Sequence, residues 1–296
     1  MTAYACGDAL GLPYENLPPS GVSREEIEQL TPRGGWQRGA TSDDTALTVL
    51  VARHLADRGG AGDARAFLTA LAVQAPSITG LGPSTSRAIE HYRFTGELPV
   101  TGGTTNGAAM RALPVGWVTP VDDPQRRRNL AIEMARATHP DPDAQCAACV
   151  VAACGSWALE GAGPGVLLEI AIEEATQASQ ACGATRRLGG MLEQVAEGTW
   201  RAPVQGVSLD PAETVTAALA CVTHAPDLRE ALIQAIGFGG DTDTVAAIVG
   251  GILGAGLTRD EVLAELPWHS VVLLPDADDI AGIAAGLASA RASSSS

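Results

Sequence analysis

From Thr242 to Ala255 the chain is nearly all apolar or Gly. A helix built from that stretch has no face to give to water, so it must lie inside the fold. Pro142 to Leu159 is also apolar on almost every face and reads as a second central helix. The rest is amphipathic with helical periodicity. Asp43 to Asp57 carries Leu47, Leu50, Val51 and Leu55 on one stripe, with Ser42 before it as a natural N-cap. Further helices are expected over 126–137, 164–179, 185–196, 211–224, 227–236, 259–266 and 278–290, several with Pro near the start. Hydrophobic residues make up 46% but aromatics only 4%, so Ala, Val, Leu and Ile must build the core, with 34 Gly permitting close approach. No strand alternation or βαβ rhythm occurs, and the connections are short. The expected fold class is all-α: one compact helical domain over residues 1–292, followed by a disordered Ser tail over 293–296.

The charge balance excludes some chemistry. Lys+Arg is 19 against 34 Asp+Glu, a formal charge of −15, and all 19 cations are Arg. Without Lys there is no Schiff base, no lysine general base and no phosphate-loop lysine. The acidic balance argues against a nucleic-acid backbone or an anionic membrane surface as partner. No apolar run has membrane-spanning length, and residues 1–8 are too polar for a signal peptide, so a cytoplasmic protein is expected. The six Cys (Cys6, Cys146, Cys149, Cys154, Cys182 and Cys221) sit mostly in Ala-rich stretches and read as small buried hydrophobes.

The informative residues form two acidic helix starts about two hundred positions apart: Thr41-Ser42-Asp43-Asp44-Thr45 and Gly239-Gly240-Asp241-Thr242-Asp243-Thr244. Alone, the first is an ordinary N-cap with acidic first-turn residues. The second is harder to dismiss, because its carboxylates open a helix with no solvent face. Neither segment holds a cation, and a helix N-terminus relieves only about 0.3–1 kcal/mol per charge at an exposed end. If the clusters met in one core, four carboxylates would need protons or metal. An all-oxygen donor set favours Mg²⁺, Mn²⁺ or Ca²⁺ over zinc. Two ions about 3.5–4 Å apart would suit so many bridging oxygens.

Three other elements stand out. In Gly7-Asp8-Ala9-Leu10-Gly11 the glycines allow close helix packing, and Glu15 follows just after Pro13. In Thr101-Gly102-Gly103-Thr104-Thr105-Asn106-Gly107, a loop running into a helix can present N–H groups to an anion or simply turn the chain. Thr138-His139-Pro140-Asp141 marks a helix junction, where a lone His is usually structural. The irregular stretch over 17–41, rich in Pro, Gly and Arg, suits a lid.

Taken in this order, these motifs resemble the ADP-ribosylglycohydrolase family, from Gly7 to about Gly256. The resemblance implies an all-α orthogonal bundle and a centre of two divalent cations, Mg²⁺ or Mn²⁺. It implies metal ligands at Ser42, Asp43, Asp44, Asp241, Asp243 and Thr244, with catalytic roles for Glu15, Asp44 and Asp243. Gly80, Gly82, Ser84, Asn106, Gly107, His139 and Gly239 would hold ADP-ribose. The leading helix is short beside those of the family. The arginine-directed branch carries Asp-x-Gly-Asn where this chain reads Gly80-Leu81-Gly82-Pro83, which resembles the branch acting on O-linked ADP-ribose. The implied activity is metal-dependent hydrolysis of the ribosyl C1″ bond of an ADP-ribosylated protein or small molecule by a monomer, with ADP-ribose as product. A nucleotide or diphosphate phosphohydrolase, and a non-catalytic ADP-ribose-binding member of the fold, are the rival readings.

Overall fold

The computed structural model describes residues 1–275 and 279–294, which contain sixteen α-helices and no strand. The first half holds α1 (Thr2–Gly11), α2 (Arg24–Glu28), α3 (Asp43–Asp57), α4 (Ala64–Gln74), α5 (Pro83–Thr95), α6 (Gly107–Met110), α7 (Leu113–Val118) and α8 (Pro124–Ala135). The second half holds α9 (Pro142–Leu159), α10 (Pro164–Cys182), α11 (Arg187–Ala196), α12 (Pro211–His224), α13 (Leu228–Gly237), α14 (Thr242–Leu253), α15 (Arg259–Glu265) and α16 (Ile280–Ser294). Helix α9 is the axis: α6, α7, α8, α10, α12 and α14 all pack on it. No helix of the described residues is long and apolar enough to cross a membrane.

The site depends on how closely α1 lies along α14. A Cβ on Gly7 would stand 2.2 Å from the Ala246 carbonyl oxygen, and one on Gly250 would stand 2.2 Å from that of Ala3. A Cβ on Gly11 would stand 2.5 Å from the Cα of Asp243. Backbone therefore meets backbone, and the contact brings Asp8 of α1 beside the acidic start of α14. Gly7→Ala must push the helices apart. It is expected to cost about 1–3 kcal/mol, read as a lower midpoint of thermal unfolding.

Expected and observed helices agree at α3, α9 and α12 to the residue. The 17–41 stretch is less irregular than expected, since it contains a 3₁₀ turn at Pro19–Gly21 and helix α2. Helices α4 and α5 are absent from the periodicity reading. Helix α5 buries only Ser84, Thr85, Ala88 and Ile89, two of them polar, so it has almost no apolar stripe to read. Two residues expected in the Ser tail are helical instead. Ser293 and Ser294 close α16, each donating its hydroxyl to a carbonyl one turn back, while Ser295 and Ser296 lie outside the described residues. Asp278, expected to begin the last helix, also lies outside them. No cysteine is in a disulfide, and all but Cys182 are buried.

Candidate active site

The starts of α3 and α14 meet. One cleft of about 190 Å³ is lined by Ser42, Asp43, Asp44, Asp241, Asp243 and Thr244, and also by Glu15, Gly80, Gly82, Asn106 and Gly107. Trp36, from the expected lid, and Thr105 stand on its walls. Hollows of 440 and 460 Å³ elsewhere are roomier but hold no such carboxylate cluster, so chemistry rather than size selects the site.

Local structure fixes each acid. Ser42 caps α3, its Oγ accepting from Asp44 N at 3.1 Å. Asp43 Oδ2 accepts from Gly82 N at 3.2 Å. Asp44 is 1% exposed, and Thr244 Oγ1 donates to its carboxylate at 3.1 Å, tying the two helix starts together. Asn106 Nδ2 donates to Asp241 Oδ2 and to Thr214 Oγ1. Asp243 Oδ1 is buried with no hydrogen-bond partner.

The turn before α14 positions Glu15. Gly239 and Gly240 have φ of +69° and +78°, and a Cβ on Gly240 would stand 2.0 Å from the Val207 carbonyl oxygen. Gly240 accepts from Asn16 N at 2.8 Å and donates to Leu17 O at 2.7 Å. Glu15 is thus pinned beside Asp241 while its side chain stays exposed, with Asn16 Nδ2 donating to it.

Asp8 was not assigned a role from sequence. It is fully buried and accepts from the backbone N–H of Ser42 and of Thr45 and from the Thr45 hydroxyl. Both of its oxygens accept from the start of α3, so it places Asp43 and Asp44. A run of side-chain motifs could not reveal it, because most of its partners are backbone groups.

The electrostatics are unbalanced. Burial pushes the Asp43 carboxyl up to about 7, with Asp8 and Asp241 adding to the rise against the Gly82 N–H. Burial raises Asp8 and Asp241 to about 6, opposed by their hydrogen bonds. Asp44 and Asp243 are held well above the usual carboxylate range, by burial first and then by the neighbouring carboxylates. Two trios have carboxylate oxygens within 4.8 Å of one another: Asp8 with Asp44 and Asp243, and Glu15 with Asp241 and Asp243. An all-oxygen donor set, a shortage of counter-charge and an orphaned Asp243 oxygen fit hard divalent cations. Glu15, which belongs to neither metal motif, has a carboxylate oxygen within 4.8 Å of those of Asp241 and Asp243.

Ser84, His139 and Gly239, expected to hold ADP-ribose, do not line the cleft. Ser84 lies behind Thr105, whose hydroxyl donates to it at 2.9 Å. His139 is fully buried behind Thr105 and Gly107. Gly239 is committed to its turn, where a Cβ would stand 2.6 Å from Pro19 N. Besides Asp8, sequence reasoning missed Trp36, Thr105 and Thr214; none carries a charge or sits at a metal-like spacing that would mark it.

Comparison with known proteins identifies the family. The sequence profile of ADP-ribosylglycohydrolase matches residues 1–295. The chain is 29% identical over 286 residues to YegU of Escherichia coli (strain K12), covering 86% of this chain and 85% of that protein. It is 26% identical over 266 residues to the ADP-ribosyl-[dinitrogen reductase] glycohydrolase of Rhodospirillum rubrum, covering 87% and 84%. A solved ADP-ribosylglycohydrolase-related protein complex superposes with a TM-score of 0.77 at 26% identity, covering 99% of this chain and 95% of that one. The chain belongs to the ADP-ribosylglycohydrolase family, whose members hydrolyse ADP-ribosyl bonds.

Proposed function

We propose that the protein hydrolyses the ribosyl C1″ bond of ADP-ribosylated acceptors, releasing ADP-ribose, at a centre holding two divalent cations, Mg²⁺ or Mn²⁺. The observation that carries this reading is the convergence of Asp43, Asp44, Asp241 and Asp243 in one cleft with Asp243 Oδ1 left unpartnered. Ser42, Asp43, Asp44, Asp241, Asp243 and Thr244 would hold the ions, which when bound supply Lewis-acid stabilisation and acidify water.

The chain's own groups do the rest. Asn106, braced by Thr214, orients Asp241 by donating to it. Asp8 holds the start of α3 rigid. Glu15, exposed at the rim beside Asp241 and Asp243, is free to take a proton from the attacking water and to deliver one to the leaving atom. The Gly80–Pro83 wall presents Asp43 with the Gly82 N–H and offers an acceptor guanidinium no carboxylate or amide of its own. That favours an O-linked acceptor over an arginine-linked one.

Glu15→Gln is expected to lower turnover about 10²–10⁴-fold while leaving cation affinity nearly intact, measured by single-turnover kinetics and calorimetric Mn²⁺ titration. A loss of affinity as large as that of Asp243→Asn would make Glu15 a ligand instead. The function itself is tested with serine-linked, arginine-linked and nucleobase-linked ADP-ribose, each with Mg²⁺ and with Mn²⁺. Intact ADP-ribose supports the proposal. AMP formation, or binding without turnover, contradicts it.

A further inference from the structure

Behind the cleft wall, Arg111, Thr138, His139, Thr105 and Ser84 form one unbroken hydrogen-bonded row. Arg111 is 2% exposed and lies 5.4 Å from the Phe67 ring centroid. It donates to Gly107 O and to Thr138 Oγ1, each at 2.8 Å. A guanidinium has no acceptor, so the Thr138 hydroxyl can only accept from it. The Thr138 proton is then available to His139 Nδ1, 2.7 Å away, and a bare Nδ1 is the arrangement in which Thr105 can keep its own proton on Ser84. Burial, helped by the Arg111 charge, holds the His139 pKa well below its ordinary value, so the ring is neutral. Its single proton therefore sits on Nε2, which faces Thr105 Oγ1 at 3.1 Å. The Thr105 proton is in turn committed to Ser84 Oγ at 2.9 Å.

Thr105 lines the cleft, and its hydroxyl, with its proton on Ser84 and one lone pair taken by His139, keeps one lone pair. We infer that Thr105 is a specificity contact that acts solely as an acceptor, its polarity set through His139 by the buried Arg111. It accepts a hydrogen bond from a ligand hydroxyl and donates none to an unprotonated phosphate oxygen. Naming that hydroxyl as one of ADP-ribose rests on the proposed function; the polarity does not. Arg111, Thr138 and His139 are positioning residues. Gly107 packs on the His139 ring and Gly103 on its backbone: a Cβ on Gly107 would stand 2.9 Å from His139 Cε1, and one on Gly103 would stand 2.5 Å from its Cα.

The ring nitrogens of His139 can be read directly by ¹⁵N NMR on the full chain. The row requires a protonated Nε2 and a bare Nδ1 in the parent, with the proton spreading to Nδ1 in Thr138→Val. A parent ring with its proton on Nδ1, or a charged ring at pH 7, overturns the inference whatever the ligand. Binding supplies the second readout, with Mg²⁺ present. Thr105→Val should weaken ADP-ribose binding about tenfold, the loss of one hydrogen bond, and Thr105→Ser should restore it. Inorganic pyrophosphate should bind parent and Thr105→Val equally; an equal loss for both ligands would make Thr105 a phosphate donor and overturn the inference. A bare Nδ1 in a protein that binds no ADP-ribose would contradict the proposed function and uphold the polarity.

Discussion

Asp243→Asn is expected to lower turnover by about 10³-fold or more, some 4 kcal/mol of transition-state stabilisation, and to abolish most cation affinity. Asp243 belongs to both carboxylate trios, and its Oδ1 has no protein partner. Asn keeps the shape and removes the charge, so the loss should not come from unfolding. Stability moves the other way. In metal-free protein at pH 8 the variant should melt higher than the parent, because Asn removes a buried carboxyl that must either carry an uncompensated charge or hold a proton the unfolded chain would release. Turnover, Mn²⁺ calorimetry and a chelated thermal melt on the same preparation read all three. A variant that loses activity and also melts lower in the metal-free state would point to a structural role.

The second large effect is a reversal of pH dependence by metal. Asp8 and Asp241 rise to about 6 and Asp43 to about 7, and burial raises Asp44 and Asp243 well above the ordinary carboxylate value. Their unfolded values lie near 3.8. Between about pH 4 and pH 7 the folded metal-free chain therefore holds more protons than the unfolded chain, and its stability must fall as pH rises. The slope is about 1.4 kcal/mol per pH unit for each extra proton retained. Divalent cations compete for the same oxygens and bind better as the protons leave, so saturating Mg²⁺ should remove the fall. At 100 times its dissociation constant a ligand adds about 2.7 kcal/mol. Thermal melts from pH 4.5 to 8, with chelator and with Mg²⁺, test this. Parallel curves would show that the carboxylates are satisfied without metal.

What the sequence discloses follows from what each group needs. Asp241 and Asp243 are legible because carboxylates opening a helix with no solvent face have no cheap way to be buried, and Asp43 and Asp44 become legible only beside them, since α3 alone is an amphipathic helix with an ordinary acidic start. Helices α3, α9 and α12 are legible because capping residues and apolar stripes are local. Asp8 is not, since it answers backbone N–H groups of Ser42 and Thr45, which only the fold brings near. His139 follows the same logic in reverse. Its motif suggests a residue facing ADP-ribose, but its two nitrogens are taken by Thr138 and Thr105, leaving it behind the wall. Gly239 is a pocket glycine by the family resemblance, yet its positive φ is spent on the turn that pins Asn16 and Leu17 to Gly240.

The direct test of the central claim is a Mn²⁺ titration of chelator-treated protein followed by electron paramagnetic resonance. Two ions per chain are expected, with the spectrum of a magnetically coupled pair that disappears in Asp243→Asn. A single isolated ion, or a coupled pair that survives that substitution, would contradict an oxygen-lined cage shared by the starts of α3 and α14.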